Sequence, residues 1–455
     1  MTQKDTSKPV FYAKPYQASL VGTLLVASYV LACLTPILSE VGSLRWFEVL
    51  AVALTAFWLN GRQFSFRAAA PFLLVAGVVV MGACLALLRA PDPREAAWNT
   101  AALTVNLTSL CLMLPTLAAP RCRRLVVIVA CGAACATALR VHNFVALYGD
   151  ETRHLLVGRG NDKNIIGLII TLGEITCLTL ALFLRSCRQP KVLTFTLRLG
   201  LIGVAAVLMY LVAFTFSRSA LLVSVAMSAA VLAFFGLRHR LLGVALALSL
   251  GLALAGVAAL VIPKLLERLP SWSMHYDRFI NWRTDDTLAA RRETAQKGLL
   301  TVAENPIIGI GHGMTKGYIA DGETGAQRDR LIHNGHLAMW AELGLPGLLA
   351  TITVLSVTLM QAWLHVRARQ ARPWDTCCVF IAMTVFAMSF FLDCSTLYWL
   401  SAAMVCAICY ERRVQARRFR IATTSAGASS IALARPPFFR IKQPRAEGVW
   451  FVSAR

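Results

Sequence analysis

Two histidines and a set of arginines are the residues here whose types and spacing could do chemistry. His333 and His336 stand in the run His333-Asn334-Gly335-His336-Leu337-Ala338-Met339-Trp340. Positions 333, 336 and 340 fall at i, i+3 and i+7, so one helix face would carry two imidazoles and an indole. An imidazole, with an ordinary pKa of about 6.5, can act as a general base near neutral pH, or can simply cap or pack at an interface. His336, one turn on, could orient a sugar or a phosphate. Arg153, Arg159, Arg218, Arg291 and Arg292 lie outside the apolar runs or at their edges, and Arg140 lies about two turns inside one. A guanidinium meets phosphate oxygens as a planar fork and keeps its charge when desolvated, so such a set suits a lipid phosphate. Each arginine alone could equally snorkel to head groups or pair with a nearby acid. Arg218 is the most constrained, because Ser217-Arg218-Ser219 joins two apolar runs with almost no loop. Asp393 is a second candidate base. Glu174, near the middle of an apolar run, suits a proton path or a structural pair with Arg140.

The elements that must position these groups are membrane helices. Of 455 residues, 57% are hydrophobic and only 15% charged, with a mean hydropathy of +0.62. Soluble domains carry about 25% charged residues, so composition excludes a soluble globule. The expected fold is an all-α polytopic membrane protein with about 12 transmembrane helices and one large helical loop. The candidate spans are 18–39, 44–60, 71–88, 97–119, 125–147, 165–185, 197–216, 219–236, 241–262, 345–364, 376–392 and 396–410. The first nine make a unit over 1–262. A polar loop with amphipathic helices follows over 263–344, three more spans fill 345–410, and a basic tail runs over 411–455. No small-residue cleavage site follows the first apolar run, which is expected to stay as a helix.

The net charge of +22 is not a nucleic-acid footprint, because of where it sits. The alternate connections 61–70, 120–124, 185–191, 237–240 and 364–374 hold thirteen Lys/Arg and no acid. By the positive-inside bias they are cytoplasmic. Both termini then lie in the cytoplasm, and 263–344 lies on the periplasmic side of a bacterial inner membrane. Arg412, Arg413, Arg417, Arg418 and Arg420 follow the last span, suited to an anionic leaflet, and membrane lipids are expected partners. The thirteen cysteines lie almost entirely in apolar segments without metal-type spacing and are expected to be packing residues. Asp285-Asp286 and Asp321-Gly322-Glu323 could hold a divalent cation or simply be solvated; no metal ligands and no cofactor are assigned.

Within the polar segment, Thr287 to Val302 has the spacing of an amphipathic helix of about 17 residues, ended by Asn305-Pro306. Gly309, Gly311 and Gly313 make a turn-rich link. Gly344-Leu345-Pro346-Gly347 should stop the histidine helix and start a new one with proline in its first turn. Asn164 is placed to cap the span that follows it.

His333-Asn334, nine residues, then Gly344-Leu345-Pro346-Gly347 resembles the His-Asn-(nine)-Gly-x-x-Gly signature of the O-antigen ligase family. Arg218-Ser219-Ala220-Leu221-Leu222 is similar to its Arg-x-x-x-Leu element between two spans. Arg291…Asn305-Pro306…Gly309-Ile310-Gly311 looks like the stretch before the histidine, and Arg159…Asn164 like an earlier external loop. The resemblance implies a GT-C-like membrane enzyme and an inverting, metal-independent glycosyl transfer. An O-antigen polysaccharide on undecaprenyl pyrophosphate would pass en bloc to lipid A–core. His333, Arg218 and Arg291 would be catalytic; Arg140, Arg153, Arg159, Asn164, Arg292, Asn334, His336 and Asp393 would bind substrate. Relatives in the superfamily polymerise O-antigen repeats or glycosylate proteins. Polymerases tend to carry an Arg-(ten)-Gly spacing, which no external arginine here has. A transporter of anionic lipid-linked glycans would instead gather broken or charged helices near the midplane. Transfer activity in membranes treated with a chelator is expected to survive; collapse with rescue by magnesium would overturn the metal-independent expectation.

Overall fold

The computed structural model describes residues 20–34, 66–148, 163–183, 191–215, 217–239, 286–315, 332, 334–367, 372–391 and 395–425. Among these there is no strand. The helices are α1 (Leu20–Leu34), α2 (Phe66–Ala86, with a 3-10 turn over Leu87–Arg89), α3 (Pro93–Leu117), α4 (Pro120–Tyr148), α5 (Lys163–Phe183) and α6 (Lys191–Phe214). They continue as α7 (Arg218–His239), α8 (Asp286–Glu304), α9 (Gly335–Leu343), α10 (Leu345–Arg367), α11 (Pro373–Met388) and α12 (Ser395–Ser425). Within the described residues seven helical stretches, in α2 to α7 and α10, are long and apolar enough to cross a membrane. α1 and α11 are shorter apolar helices. The expected spans 44–60 and 241–262 lie outside the described residues. The last expected span, 396–410, falls within α12, which continues as helix to Ser425 and carries the arginine cluster; α12 is not among the seven stretches.

α5 is the axis of the bundle, buried along nearly its whole length. It is enclosed by α4, α6, α7 and α11. Lipid offers little hydrophobic reward for packing helices together, so close approach depends on small residues. Gly167 lies against Ala220 of α7, where an added Cβ would come within 2.4 Å of the alanine methyl. Gly173 lies likewise against Ala134 of α4, at 2.3 Å. The hydroxyls of Thr171, Thr176 and Thr179 return to carbonyls one turn back, at 2.6–2.8 Å, so these polar side chains cost the apolar core little. Glu174 accepts from Ser224 Oγ at 2.5 Å and Ser228 Oγ at 2.6 Å, which ties α5 to α7. In place of the expected pair with Arg140, these two serines are its partners.

One end of the bundle is closed by a buried ionic cluster. Arg123, at the start of α4, is fully buried and bonds Asp375 Oδ1 at 2.8 Å. Its guanidinium also donates to Glu411 and to the carbonyls of Leu117 and Ala118, at 3.0 and 2.6 Å. Arg372 completes Glu411 at 2.7 Å, and Arg412 donates to Gln361 at 3.1 Å. Every strong donor finds an acceptor, as a buried charge requires. Removing one member strands the others: Arg123→Ala should cost roughly 3–5 kcal/mol of stability. A clear fall in the unfolding temperature of the purified protein checks this; an unchanged one would mean the cluster is solvated and dispensable.

Candidate functional site

At the other end of the bundle sits the short helix α9, held at both of its ends. Asn334 is its N-cap, and the Asn334 Oδ1 accepts from the backbone N–H groups of His336 at 3.1 Å and Leu337 at 3.0 Å. That satisfies two of the four N–H groups a helix start leaves unbonded. Gly335 N–H then donates to Ser389 O at 2.7 Å, and His336 Nε2 lies 3.1 Å from Phe386 O, so the last turn of α11 anchors the start of α9. For Nε2 to donate to that carbonyl it must carry the proton, which leaves Nδ1 as an acceptor. Burial holds the His336 pKa below its ordinary value, although the Phe386 carbonyl opposes the shift; the ring is neutral at pH 7. The half-exposed Phe390 ring lies tilted against it, with ring centroids 4.5 Å apart, and Tyr398 lies edge-on at 5.7 Å. Among the described residues, His336 Nδ1 and Trp340 Nε1 are buried without a hydrogen-bond partner. The first is an acceptor and the second a donor, and both are closed off from solvent.

The C-terminal end of α9 is stitched to the glycine loop by the main chain. Ile310 N–H donates to Ala341 O at 3.1 Å, Gly311 N–H to Glu342 O at 3.0 Å and Leu345 N–H to Ile307 O at 3.0 Å. Side chains would forbid this approach. Gly344 has φ +67°, and a Cβ on it would sit 2.3 Å from Ile307 O; a Cβ on Gly347 would sit 2.2 Å from Met339 O. The two glycines of the Gly-x-x-Gly pair therefore have separate jobs, one a helix end at positive φ that a side chain would strain and the other a close passage for α10 past α9.

A polar latch reinforces the stitch. Glu342, buried on α9, receives His312 Nδ1 at 2.9 Å and Thr315 Oγ1 at 2.6 Å, with the Gly313 N–H also donating. Burial pushes its carboxyl up, but His312, Gly313 and Thr315 together outweigh burial and hold it below the usual carboxylate range. The His312 carbonyl in turn accepts from Asn99 Nδ2 at 3.4 Å, and Arg89 Nη1 reaches Asn305 Oδ1 at 3.2 Å, so α2 and α3 brace the loop. His312 was not singled out from sequence. An acid on an apolar helix and a histidine between two glycines were the only signs, and neither names its partner.

The second candidate element is the joint before α7. Ser217 Oγ accepts from Ala220 N–H at 3.1 Å and donates to Asn164 Oδ1 at 2.7 Å; Ser219 Oγ reaches the same oxygen at 3.2 Å. Both neighbours of Arg218 are thus fixed to α5. This corrects the expected capping role of Asn164, because α5 already begins at Lys163 and the Asn164 side chain is occupied by the joint.

Arg218 is the first residue of α7 and half buried. α11, which anchors α9, also packs on α5 and α7, so it connects the joint with the histidine helix. Arg291 lies on α8, half buried, and Arg292 points outward beside it. α8 covers α9 with the face bearing Thr294, Gly298, Thr301 and Val302; a Cβ on Gly298 would lie 2.8 Å from Ile332 and 3.0 Å from Leu337. Arg140 is half buried on α4, about two turns before that helix ends at Tyr148. His333, Arg153, Arg159 and Asp393 lie outside the described residues, and so does the expectation that His333 shares a helix face with His336; α9 itself begins at Gly335. In the chain His333 stands between the buried Ile332 and the capping Asn334.

Compared with known families, residues 202–352 fit the family model described as O-antigen ligase. The match supports the family that the His333 motif resembles. It runs from α6 into α10 and takes in the Arg218 joint, α8, the glycine loop and α9, but not Arg140, Arg153, Arg159, Asn164 or Asp393. No curated protein matches the chain.

The latch has a defined pH response. A carboxyl whose pKa is depressed in the fold stabilises above its unfolded value, about 4.3, and loses that as pH falls through the folded value. Glu342→Gln is expected to lower stability at pH 7 by roughly 1–3 kcal/mol, and the gap from the parent protein should close in acid below pH 4. Unfolding curves at pH 7 and in acid check this; a gap of constant size would sink the ionised latch.

Proposed function

We propose, on the O-antigen ligase match over residues 202–352, that this membrane protein is a glycosyltransferase working at the periplasmic face of the bacterial inner membrane. It transfers O-antigen polysaccharide en bloc from undecaprenyl pyrophosphate to lipid A–core. The observation that carries the reading is that the matched segment holds both a histidine next to a capped helix and an arginine at a rigid joint between spans. An acceptor hydroxyl oxygen attacks the anomeric carbon of the donor sugar from the face opposite the pyrophosphate, inverting the configuration. His333 takes the hydroxyl proton as the new C–O bond forms. The old C–O bond breaks and its electrons pass to the pyrophosphate, where Arg218 and Arg291 stabilise the growing negative charge.

Preorganisation supports this assignment of roles. Arg218 starts a helix whose cap and neighbours are bonded to Asn164, so its backbone need not reorganise as charge develops. Asn334 serves the base by fixing the chain next to it. His336 stands beside the exposed Phe390 ring and is assigned to substrate binding. Arg140, Arg153, Arg159, Arg292 and Asp393 belong to the wider substrate set.

His333→Ala and Arg218→Ala are expected to abolish long-chain lipopolysaccharide while inserting normally, with losses of about 100-fold or more in rate. Arg291→Ala should impair it severely. The test is transfer in vitro from a defined glycan on undecaprenyl pyrophosphate, offered purified core, a protein acceptor or the carrier-linked glycan itself. Product only on core supports ligation; product only on the carrier-linked glycan or on protein would replace it with polymerisation or protein glycosylation. Retained transfer by His333→Ala would remove the base assignment.

A further inference from the structure

The outward face of α8 changes character along its length. Arg292 and Gln296 are exposed in its first three turns, and Leu299, Leu300 and Ala303 are exposed beyond them, ahead of the exposed terminal Glu304. Leu299 is 54% and Leu300 63% exposed, while the opposite face is fully used against α9. Beyond the helix end Ile307 is 67% exposed, and its carbonyl accepts the N–H of Leu345, the first residue of α10. α10 is long and apolar enough to span a membrane, and its own exposed strip is Leu345, Leu349 and Ile352. The exposed aliphatic residues of α8 thus lead along the chain to Ile307 and, across its hydrogen bond to Leu345, to the exposed strip of a candidate span.

We infer that α8 is an interfacial helix, with Leu299, Leu300 and Ile307 seated in the lipid at the outer head-group boundary and Arg292 at the level of the lipid phosphates. Because the polar residues come first and the aliphatic ones later on the same outward face, α8 dips into the interface at a tilt, its Leu299–Leu300 turn reaching about 5–10 Å to the head-group and acyl boundary. Membrane lipid is the occupant because the patch leads to the exposed aliphatic strip of a helix long and apolar enough to span a bilayer, and because Arg292 and Gln296 lie on the same side, where lipid phosphates can meet them. Large exposed aliphatic side chains at such a place are an interaction surface, not ordinary scatter. The placement deepens the proposed function, on which it rests for one point only: it sets Arg291, on the same turn, at the depth of a lipid-linked pyrophosphate.

The test places an environment-sensitive fluorescent amino acid at Leu300, at Gln296 and, as a lipid-facing control, at Leu349. The full-length protein is reconstituted into phosphatidylcholine–phosphatidylglycerol vesicles. The residue-300 probe is expected to be quenched by lipids carrying a nitroxide high on the acyl chain, and at least threefold less by aqueous iodide than the residue-296 probe. Equal iodide quenching at both positions would put α8 in water and overturn the inference. Protection of residue 300 from both quenchers would also overturn it, by showing a protein cover such as a second copy. Neither readout needs substrate, so the result stands apart from whether the protein transfers glycan, and failed transfer in vitro leaves it untouched.

Discussion

The arrangement at the functional end depends on one contact, the main-chain pairing of the glycine loop with the end of α9. Three N–H to carbonyl bonds join residues 307–311 to residues 341–345, and glycine at 309 and 344 lets the two backbones meet. Such pairing is rigid in a way that side-chain packing is not, because each bond fixes two peptide planes. It binds the polar segment directly to the mouth of α10. The Glu342 latch then adds charge to the same seam, where burial makes an ionised carboxylate dependent on its three donors. Loss of any donor leaves a buried charge short of a partner.

From this seam the geometry spreads in two directions. α9 leans on α11, and α11 leans on α5 and α7, whose joint carries Arg218. The other direction runs through α8, which covers α9 and carries Arg291. Both arginines of the proposed charge-stabilising pair therefore belong to elements that rest on one framework, and the histidine precedes the cap of the helix between them. Preorganised cations of this kind cost no reorganisation as a leaving group gains charge. The far end of the bundle is closed by the Arg123 cluster, which keeps α3, α4, α11 and α12 in register.

The two ends illustrate different uses of one residue type. Arginine in the short connections reflects insertion orientation, yet Arg123 is fully buried and bonded on every side. A positive-inside count treats such a residue as a charge in a loop. Its partner Asp375 lies 252 residues away in the chain, at the start of α11. Only a bundle that brings those helix ends together makes the arginine structural.

Local pattern was sufficient for a good deal. Apolar runs of span length, the periodicity of α8, the proline start of α10 and the abrupt joint at Arg218 are encoded within a few turns of chain, and among the described residues the helices follow them. The histidine motif likewise named the stretch that the family match covers. What tertiary structure alone decided is where polar groups go. Asn164 suited a helix cap by position and instead serves two serines more than fifty residues on; Glu174 could have met Arg140 and meets Ser224 and Ser228. α12 stays helical beyond the last apolar run, and there Glu411 and Arg412 find partners on α4 and α10. The His312–Glu342 pair joins a loop to a helix thirty residues later. Hydropathy and helical period are properties of neighbouring residues, so they survive in the sequence; a hydrogen-bond partner is a property of which elements meet, and that is settled only when the chain has packed.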